Sequence, residues 1–369
     1  MSKEYDYLIK NNELNISENE WLDLNQKHTK DEIKEILSDL IDIYNLNLPY
    51  RKISFNDVLE DFKKLKKIDA KTLLINKPFF SRYEYKYPFS DLYIKDCKTG
   101  NISSDFFHQT NRWLCDSINS PSPFRSWTIK KFRMSLFNAL WTLKFKKITN
   151  KELRIAIALR KYIASQFKPS AAKCLYQYFN AKNVLDFSMG WGDRLSAFLA
   201  TDSTDYYCGI DPNYNLFNGF FQQVNHFNIN KKIDLFNMPA EHHLFKQNSV
   251  DFVCTSPPYF IIERYTQDLN QSWKKYKKLN NWLNFFLFEV IKKAWSALKP
   301  NGHMAINISD VYCNHTINRI CDPMNDYIST LNDAKYNGCI GLQLAKRPNS
   351  KSDKIGVHCE PIWIWKKNQ

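Results

Sequence analysis

Up to about residue 166 the apolar side chains of this chain recur mostly at helical spacing, and beyond it they gather in short uninterrupted runs. The stretch "TKDEIKEILSDLIDIY", Thr29 to Tyr44, carries the three-and-four spacing of an amphipathic helix. In "SFNDVLEDFKKLKKI" a helix should open at Ser54, with Asp57 three residues on to close the first turn reciprocally. Residues 70 to 125 hold neither period and read as loop-rich, with "NSPSPF", Asn119 to Phe124, as a linker or exposed turn. The helical pattern resumes from Lys130 to Gln166. No internal repeat or low-complexity tract interrupts the chain.

After Phe167 the period changes. "KNVLDF", "YYCGID", "KIDLFN", "VDFVCTS", "GHMAINIS", "CIGLQL" and "PIWIWKK" read as strands. "GDRLSAFLA", "YNLFNGFFQQVNHF" and "WLNFFLFEVIKKAWSAL" fall between them as helices, the last with Leu283, Leu287, Val290, Ala294 and Leu298 on one stripe. Short apolar strands alternating with helices predict an α/β fold whose mostly parallel sheet has helices on both faces, and such sheets bind ligands beyond the carboxyl ends of their strands. The domains expected are a mainly helical extension over 1–165 and an α/β domain over 166–369.

The strand ends carry the candidate chemistry. The first runs into "DFSMGWGDR", Asp186 to Arg194, where Ser188, Gly190 and Gly192 lie in a strand-to-helix turn that either admits a ligand to the backbone or serves the turn alone. The second ends in "GIDPN", and Asp211 there can accept hydrogen bonds from two ribose hydroxyls or cap a helix before Pro212. The third ends in "NMPAEHH", with Glu241 placed to approach an adenine or to cap. The fourth ends in "TSPPYF". Two prolines force the chain out of the sheet, and the residue before a proline is held extended, so Ser256, Pro257, Pro258 and Tyr259 form a stiff loop. Together the four ends suit one nucleoside ligand and one reacting group.

Charge adds a second theme. The net charge is +14, and residues 71–180, with 20 basic and 6 acidic groups, hold an excess equal to all of it. Basic and aromatic residues alternate in "FRSWTIKKFRMSLFNALWTLKFKK", where Lys130, Lys131 and Arg133 suit a phosphate-tracking surface more than a merely solvated helix face. The nine cysteines are scattered with no Cys-x-x-Cys pair. Cys313, His315 and Cys321 fit no common zinc spacing, so no metal is expected. No segment approaches 18 uninterrupted apolar residues, which predicts a soluble intracellular protein, cytoplasmic in a bacterial or viral setting, with a nuclear location open.

"VLDFSMGWGDR", "GIDPN", "PAEHH" and "DFVCTSPPYF" together resemble the S-adenosylmethionine-dependent DNA methyltransferases that modify exocyclic amino groups, N4 of cytosine or N6 of adenine. "SPPYFIIERY", "QSWKKY" and "LKPNGHMAINISD" resemble a phage and large-DNA-virus branch of that family. The resemblance covers about Phe167 to Lys367. It implies a class I, Rossmann-like fold with a seven-stranded sheet and S-adenosylmethionine as cofactor. Asp186, Ser188, Gly190, Gly192, Asp211 and Glu241 would hold that cofactor, with Phe167, Lys168 and Ser170 at its methionine end. It also implies DNA as partner, with RNA possible, and a flipped base met by the Ser256–Tyr259 loop. There Ser256 Oγ and the Pro257 carbonyl would accept amino hydrogens, Tyr259 would stack on the base, and Phe260 would wall the pocket. Serine at the first position leans toward N4 of cytosine. RNA, a protein amide, or a non-catalytic nucleic-acid-binding scaffold are the competing readings.

Overall fold

The computed structural model describes residues 2–344 and 356–369. The chain forms two compact units, residues 1–52 with 109–164, and residues 53–108 with 165–369. The stretch expected as a single N-terminal extension is therefore divided: residues 53–108 belong with the sheet, because they add strands and a helix to it.

In the first unit, Ser17, Thr29 and Thr149 each start a helix with a reciprocal cap, giving Glu18–Lys27, Lys30–Ile43 and Asn150–Arg160. The helices close around Ile33, Leu37, Leu136, Phe137, Leu140 and Leu153, all shielded from solvent. The "NSPSPF" segment is no linker. Asp116 accepts from the Ser122 N–H at 2.6 Å and pairs with Arg125 at 2.7 Å, and Ser122 caps the helix Pro123–Thr128.

The second unit is built on a ten-stranded sheet. Its strands in chain order are β1 (Leu74–Ile75), β2 (Phe79–Phe80), β3 (Tyr93–Ile94), β4 (Asn183–Asp186), β5 (Tyr206–Asp211), β6 (Lys232–Asn237), β7 (Val250–Thr255), β8 (Leu298–Asn307), β9 (Ala334–Gln343) and β10 (Val357–Lys367). They lie in the order β1-β3-β9-β10-β8-β7-β4-β5-β6, with β2 beside β10. From β4 onward this is a seven-stranded sheet in which the last strand, β10, inserts antiparallel between β8 and β9 while β6, β5, β4, β7 and β8 run parallel. That strand order is the class I, Rossmann-like methyltransferase fold. The sequence pattern gives these seven strands; the three short edge strands come from the segment read as loop.

Val184, Leu185, Tyr207, Phe252, Val253, Met304 and Trp363 are at most 1% exposed, because the central strands are covered on both faces. The chain from Asn101 to Leu114 is a helix rather than loop. Between β6 and β7 stands only a three-residue turn, Ala240–His242, where strict alternation would place a helix. The long helix after Leu279 is interrupted by one wide turn at Leu283–Leu287, yet its stripe of Leu283, Leu287, Val290 and Ala294 is buried as the spacing predicts.

Candidate active site

The carboxyl ends of β4, β5, β6 and β7 converge on two cavities. The first is lined among others by Gly190, Asp211, Asn213, Glu241, Ser256 and Gln271. The second is lined among others by Phe167, Lys168, Tyr259, Glu263, Asn307 and Glu360. Ser188, Gly190, Trp191, Ser256 and Tyr265 line both and form their common wall.

Asp211 Oδ2 accepts the Gly190 N–H at 3.0 Å and Oδ1 accepts the Asn213 N–H at 2.9 Å, which ties the ends of β4 and β5 together. Burial raises its pKa to about 6, with the two N–H groups pulling the other way. Glu241 is held by Lys275 Nζ and Tyr276 Oη, each at 3.1 Å, through Oε1. Its Oε2 is buried without a protein partner, and so is Gln271 Nε2. An acceptor and a donor, both unsatisfied, thus line one cavity. A buried polar atom left unpaired costs free energy, which sets these two residues apart from the rest of the cavity lining.

The two glycines of the first loop differ. A Cβ on Gly190 would find only the Ser188 carbonyl, 4.0 Å away, so the backbone there is open toward the cavities. A Cβ on Gly192 would meet Gln223 Oε1 at 2.4 Å and His108 Nε2 at 2.9 Å. Gly192 therefore makes room for interior packing and lines neither cavity. Asp186, expected beside it at the cofactor, likewise stands back from the cavity walls. It is fully buried, accepts from Arg194 Nε at 2.7 Å and Tyr207 Oη at 2.8 Å, and lines neither cavity. Arg194 in turn donates to the Ser188 carbonyl, so the pair shapes the loop from beneath.

Phe167 and Lys168 line the second cavity, and Lys168 Nζ pairs with Asp96 at 2.6 Å. Ser170 does not; it is 1% exposed and donates to the Cys97 carbonyl at 2.7 Å. In the catalytic-type loop Ser256 faces both cavities, Pro258 the first and Tyr259 the second. Pro257 is buried. Phe260 turns inward at a positive φ of 53°, 4% exposed with its ring 5.9 Å from that of Trp282, and so offers no surface to a nucleic acid.

The basic residues chosen from the middle of the chain meet acids from its start. Arg133 is 0% exposed, with Nη2 2.5 Å from Asp42 and Nε 2.9 Å from Ser38, which excludes it from phosphate contact. Lys130 sits 2.7 Å from Glu35 and 2.8 Å from Asp39. Lys130 within these pairs and Lys131 both stay exposed. Linear charge counts hid this, because helix Lys30–Ile43 brings its acids beside helix Lys130–Thr142. The first unit carries 19 basic and 13 acidic residues in all.

Sequence reasoning missed Gln271, Asn307 and Glu360. Asn307 Oδ1 lies 3.4 Å from Ser256 Oγ, and its Nδ2 lies 3.4 Å from Glu360 Oε2. Glu360 was readable as a lone acid inside the apolar run of β10. Among the described residues no cluster of metal-binding side chains occurs, and no helix is long and apolar enough to cross a membrane.

The chain is similar to solved structures of a SAM-dependent O-methyltransferase from Thermotoga maritima (11% identity, 58% of this chain and 71% of that chain, TM-score 0.37) and an rRNA methylase from Streptococcus thermophilus (15%, 56% and 100%, 0.36). A third is TrmN from Thermus thermophilus (13%, 54% and 48%, 0.36). Likenesses this weak add nothing to what the strand order shows. No curated relative matches the chain. Residues 250–369, from β7 through β10, match the N6/N4 family model described as DNA methylase. The resemblance carried by the strand-end motifs and this match thus coincide at the Ser256–Tyr259 loop: over residues 250–369 the chain is similar to the DNA methylase family, which implies S-adenosylmethionine as cofactor.

Proposed function

We propose that the protein transfers a methyl group from S-adenosylmethionine to an exocyclic amino group of a base flipped out of DNA, with N4 of cytosine slightly favoured over N6 of adenine. The observation that carries this reading is the place of Ser256 on the wall common to both cavities, where donor and acceptor must meet. Asp211 would take the ribose hydroxyls, and Glu241 with Gln271 the adenine edge. Gly190 and Ser188 would border the sulfonium, and Phe167 and Lys168 the methionyl end. When bound, the cofactor supplies an activated methyl group. An exocyclic amine is a weak nucleophile because its lone pair is delocalised into the ring. Ser256 Oγ and the Pro257 carbonyl, as acceptors of its hydrogens, turn that lone pair toward the methyl carbon, and proline rigidity keeps them in place. Tyr259 stacks on the base, which is out of reach inside a duplex. Lys131, rather than Arg133, contributes to phosphate contact.

The test is direct. The protein is incubated with methyl-labelled cofactor and mixed genomic DNA, and the DNA is digested to nucleosides for mass spectrometry. Labelled N4-methylcytosine is the expected product. N6-methyladenine would move the acceptor base, and label appearing in RNA or protein alone would overturn DNA as substrate.

A further inference from the structure

From Leu269 to Phe288 the chain holds four lysines, Lys274, Lys275, Lys277 and Lys278, and no acid. One of them is engaged. Lys275 Nζ lies 3.1 Å from Glu241 Oε1 and 2.8 Å from His242 Nε2, and Tyr276 Oη donates to the same carboxylate at 3.1 Å, which pins the run to the turn Ala240–His242. The other three are not neutralised. Lys277 and Lys278 are exposed, and Lys274 is half-buried with its Nζ 4.8 Å from the centre of the Trp273 ring. Among the described residues no acid stands at ion-pair distance from any of the three. Lys130 shows the contrary case, since Glu35 at 2.7 Å and Asp39 at 2.8 Å already answer its charge. Like charges crowded together repel one another until a partner of opposite sign arrives.

The run begins at the cavity wall. Asn270, Gln271 and Ser272 line the first cavity beside Ser256, and the three lysines stand two, five and six residues beyond Ser272. A chain that short spans at most about 7 to 22 Å. All three therefore lie within about six base steps of the cavity, at about 3.4 Å per step. Aromatic rings alternate with them: Trp273, Tyr276, and Phe285, which is 60% exposed with its ring 6.5 Å from that of Tyr276. Unpaired ammonium groups interleaved with rings suit a polymer that alternates phosphates with flat bases.

We propose that Lys274, Lys277 and Lys278 form the surface that grips the phosphate backbone of DNA beside the base to be methylated; this rests on the DNA amino-methyltransferase reading. Contacts to phosphate fix where the duplex lies and carry no sequence information. They act by releasing counterions, so their contribution is uniform across sequences and fades as salt rises. Lys275, held on Glu241, keeps the surface at a fixed distance from the cavity that Glu241 and Ser256 line.

The test uses the full chain and labelled DNA duplexes of several sequences, with affinity read by fluorescence anisotropy across a salt series. In the triple variant Lys274→Gln, Lys277→Gln, Lys278→Gln the slope of log affinity against log salt should shrink by about 2 to 3, and affinity at about 0.1 M salt should fall by a factor on the order of 10², equally on every duplex. A control that removes the same charge from helix Phe55–Lys67, Lys63→Gln, Lys64→Gln, Lys67→Gln, should alter the slope by less than about 1. Methylation of mixed genomic DNA should show a raised KM with kcat at saturating DNA within about twofold of the parental value. An unchanged slope in the lysine variant overturns the surface. So does an equal loss in the control, a loss confined to one sequence, or a fall in kcat with KM unchanged. If the parental protein binds the duplexes and methylates none, the methyltransferase reading fails by itself and the salt slopes still decide the surface. If it binds no duplex, the surface is overturned, while label on DNA decides the reading separately.

Discussion

Two loops leave neighbouring strands of one sheet and use polar residues in opposite ways. In Asp186–Arg194, after β4, the charged groups bond to one another: Asp186 to Arg194 and Tyr207, Arg194 to the Ser188 carbonyl, and Gly192 against His108 and Gln223. In Ser256–Phe260, after β7, the polar atoms of Ser256 and Tyr259 stand at cavity walls. The first loop is satisfied from within, so its residues fix a shape. The second presents its polar side chains at cavity walls, where a ligand can reach them. Polar residues at a strand end thus mark either a scaffold or a reactive surface, and residue type alone does not say which.

The comparison breaks most readily at Arg194. Arg194→Ala leaves Asp186 as an uncompensated buried charge and should destabilise the second unit by about 3 to 5 kcal/mol, read as a fall in the urea midpoint. A loss below about 1 kcal/mol would show that the first loop is not held from beneath. Ser256→Ala is the counterpart. It should leave the urea midpoint almost unchanged while slowing methyl transfer by roughly 10² to 10³, about 2.7 to 4 kcal/mol of barrier. Parental turnover in that variant would remove Ser256 from the chemistry.

The two glycines sharpen the contrast within a single loop. At a φ of 71° and with its Cβ position blocked, Gly192→Ala should cost about 2 to 3 kcal/mol of stability. Gly190→Ala at a φ of 56° should cost about 1 kcal/mol and act on cofactor affinity instead. Equal unfolding midpoints for the two variants would contradict the assignment of one to the interior and the other to the cavity.

The smallest effect concerns pH. Asp211 accepts hydrogen bonds best when ionised, and its pKa is raised by burial to about 6. Cofactor affinity measured by calorimetry should therefore weaken as pH falls through about 6, by up to tenfold per unit below it, and level off above. The same raised value means that folding loses stability as pH climbs from the ordinary carboxylate range to about 6, so the two trends run in opposite directions.

Strands β4, β5 and β7 were legible because each is an apolar run that meets an Asp or a proline within two residues of its end, and burial on both faces leaves no other pattern. The strand-end residues were legible too, since β4, β5 and β6 are neighbours in chain order and β7 returns to pair with β4. The split between scaffold and surface was not. Asp186 and Asp211 look alike in sequence, and only the nearness of Arg194 and Tyr207 distinguishes them. Glu360, Asn307 and Gln271 escaped because the Ser256 loop meets them across separations of 15 to 104 residues, which no local motif records. The basic surface was overread for the same reason: Glu35, Asp39 and Asp42 lie more than ninety residues before the cations they neutralise.

The wall common to both cavities has a thermodynamic meaning. Ser188, Gly190, Trp191, Ser256 and Tyr265 belong to either occupant's surroundings, and the Trp191 and Tyr265 rings meet edge to face at 5.5 Å. Under the proposed function these residues would touch both the cofactor and an extrahelical base, and linkage would then require reciprocity: whatever factor the cofactor adds to the affinity for the base, the base must add to the affinity for the cofactor.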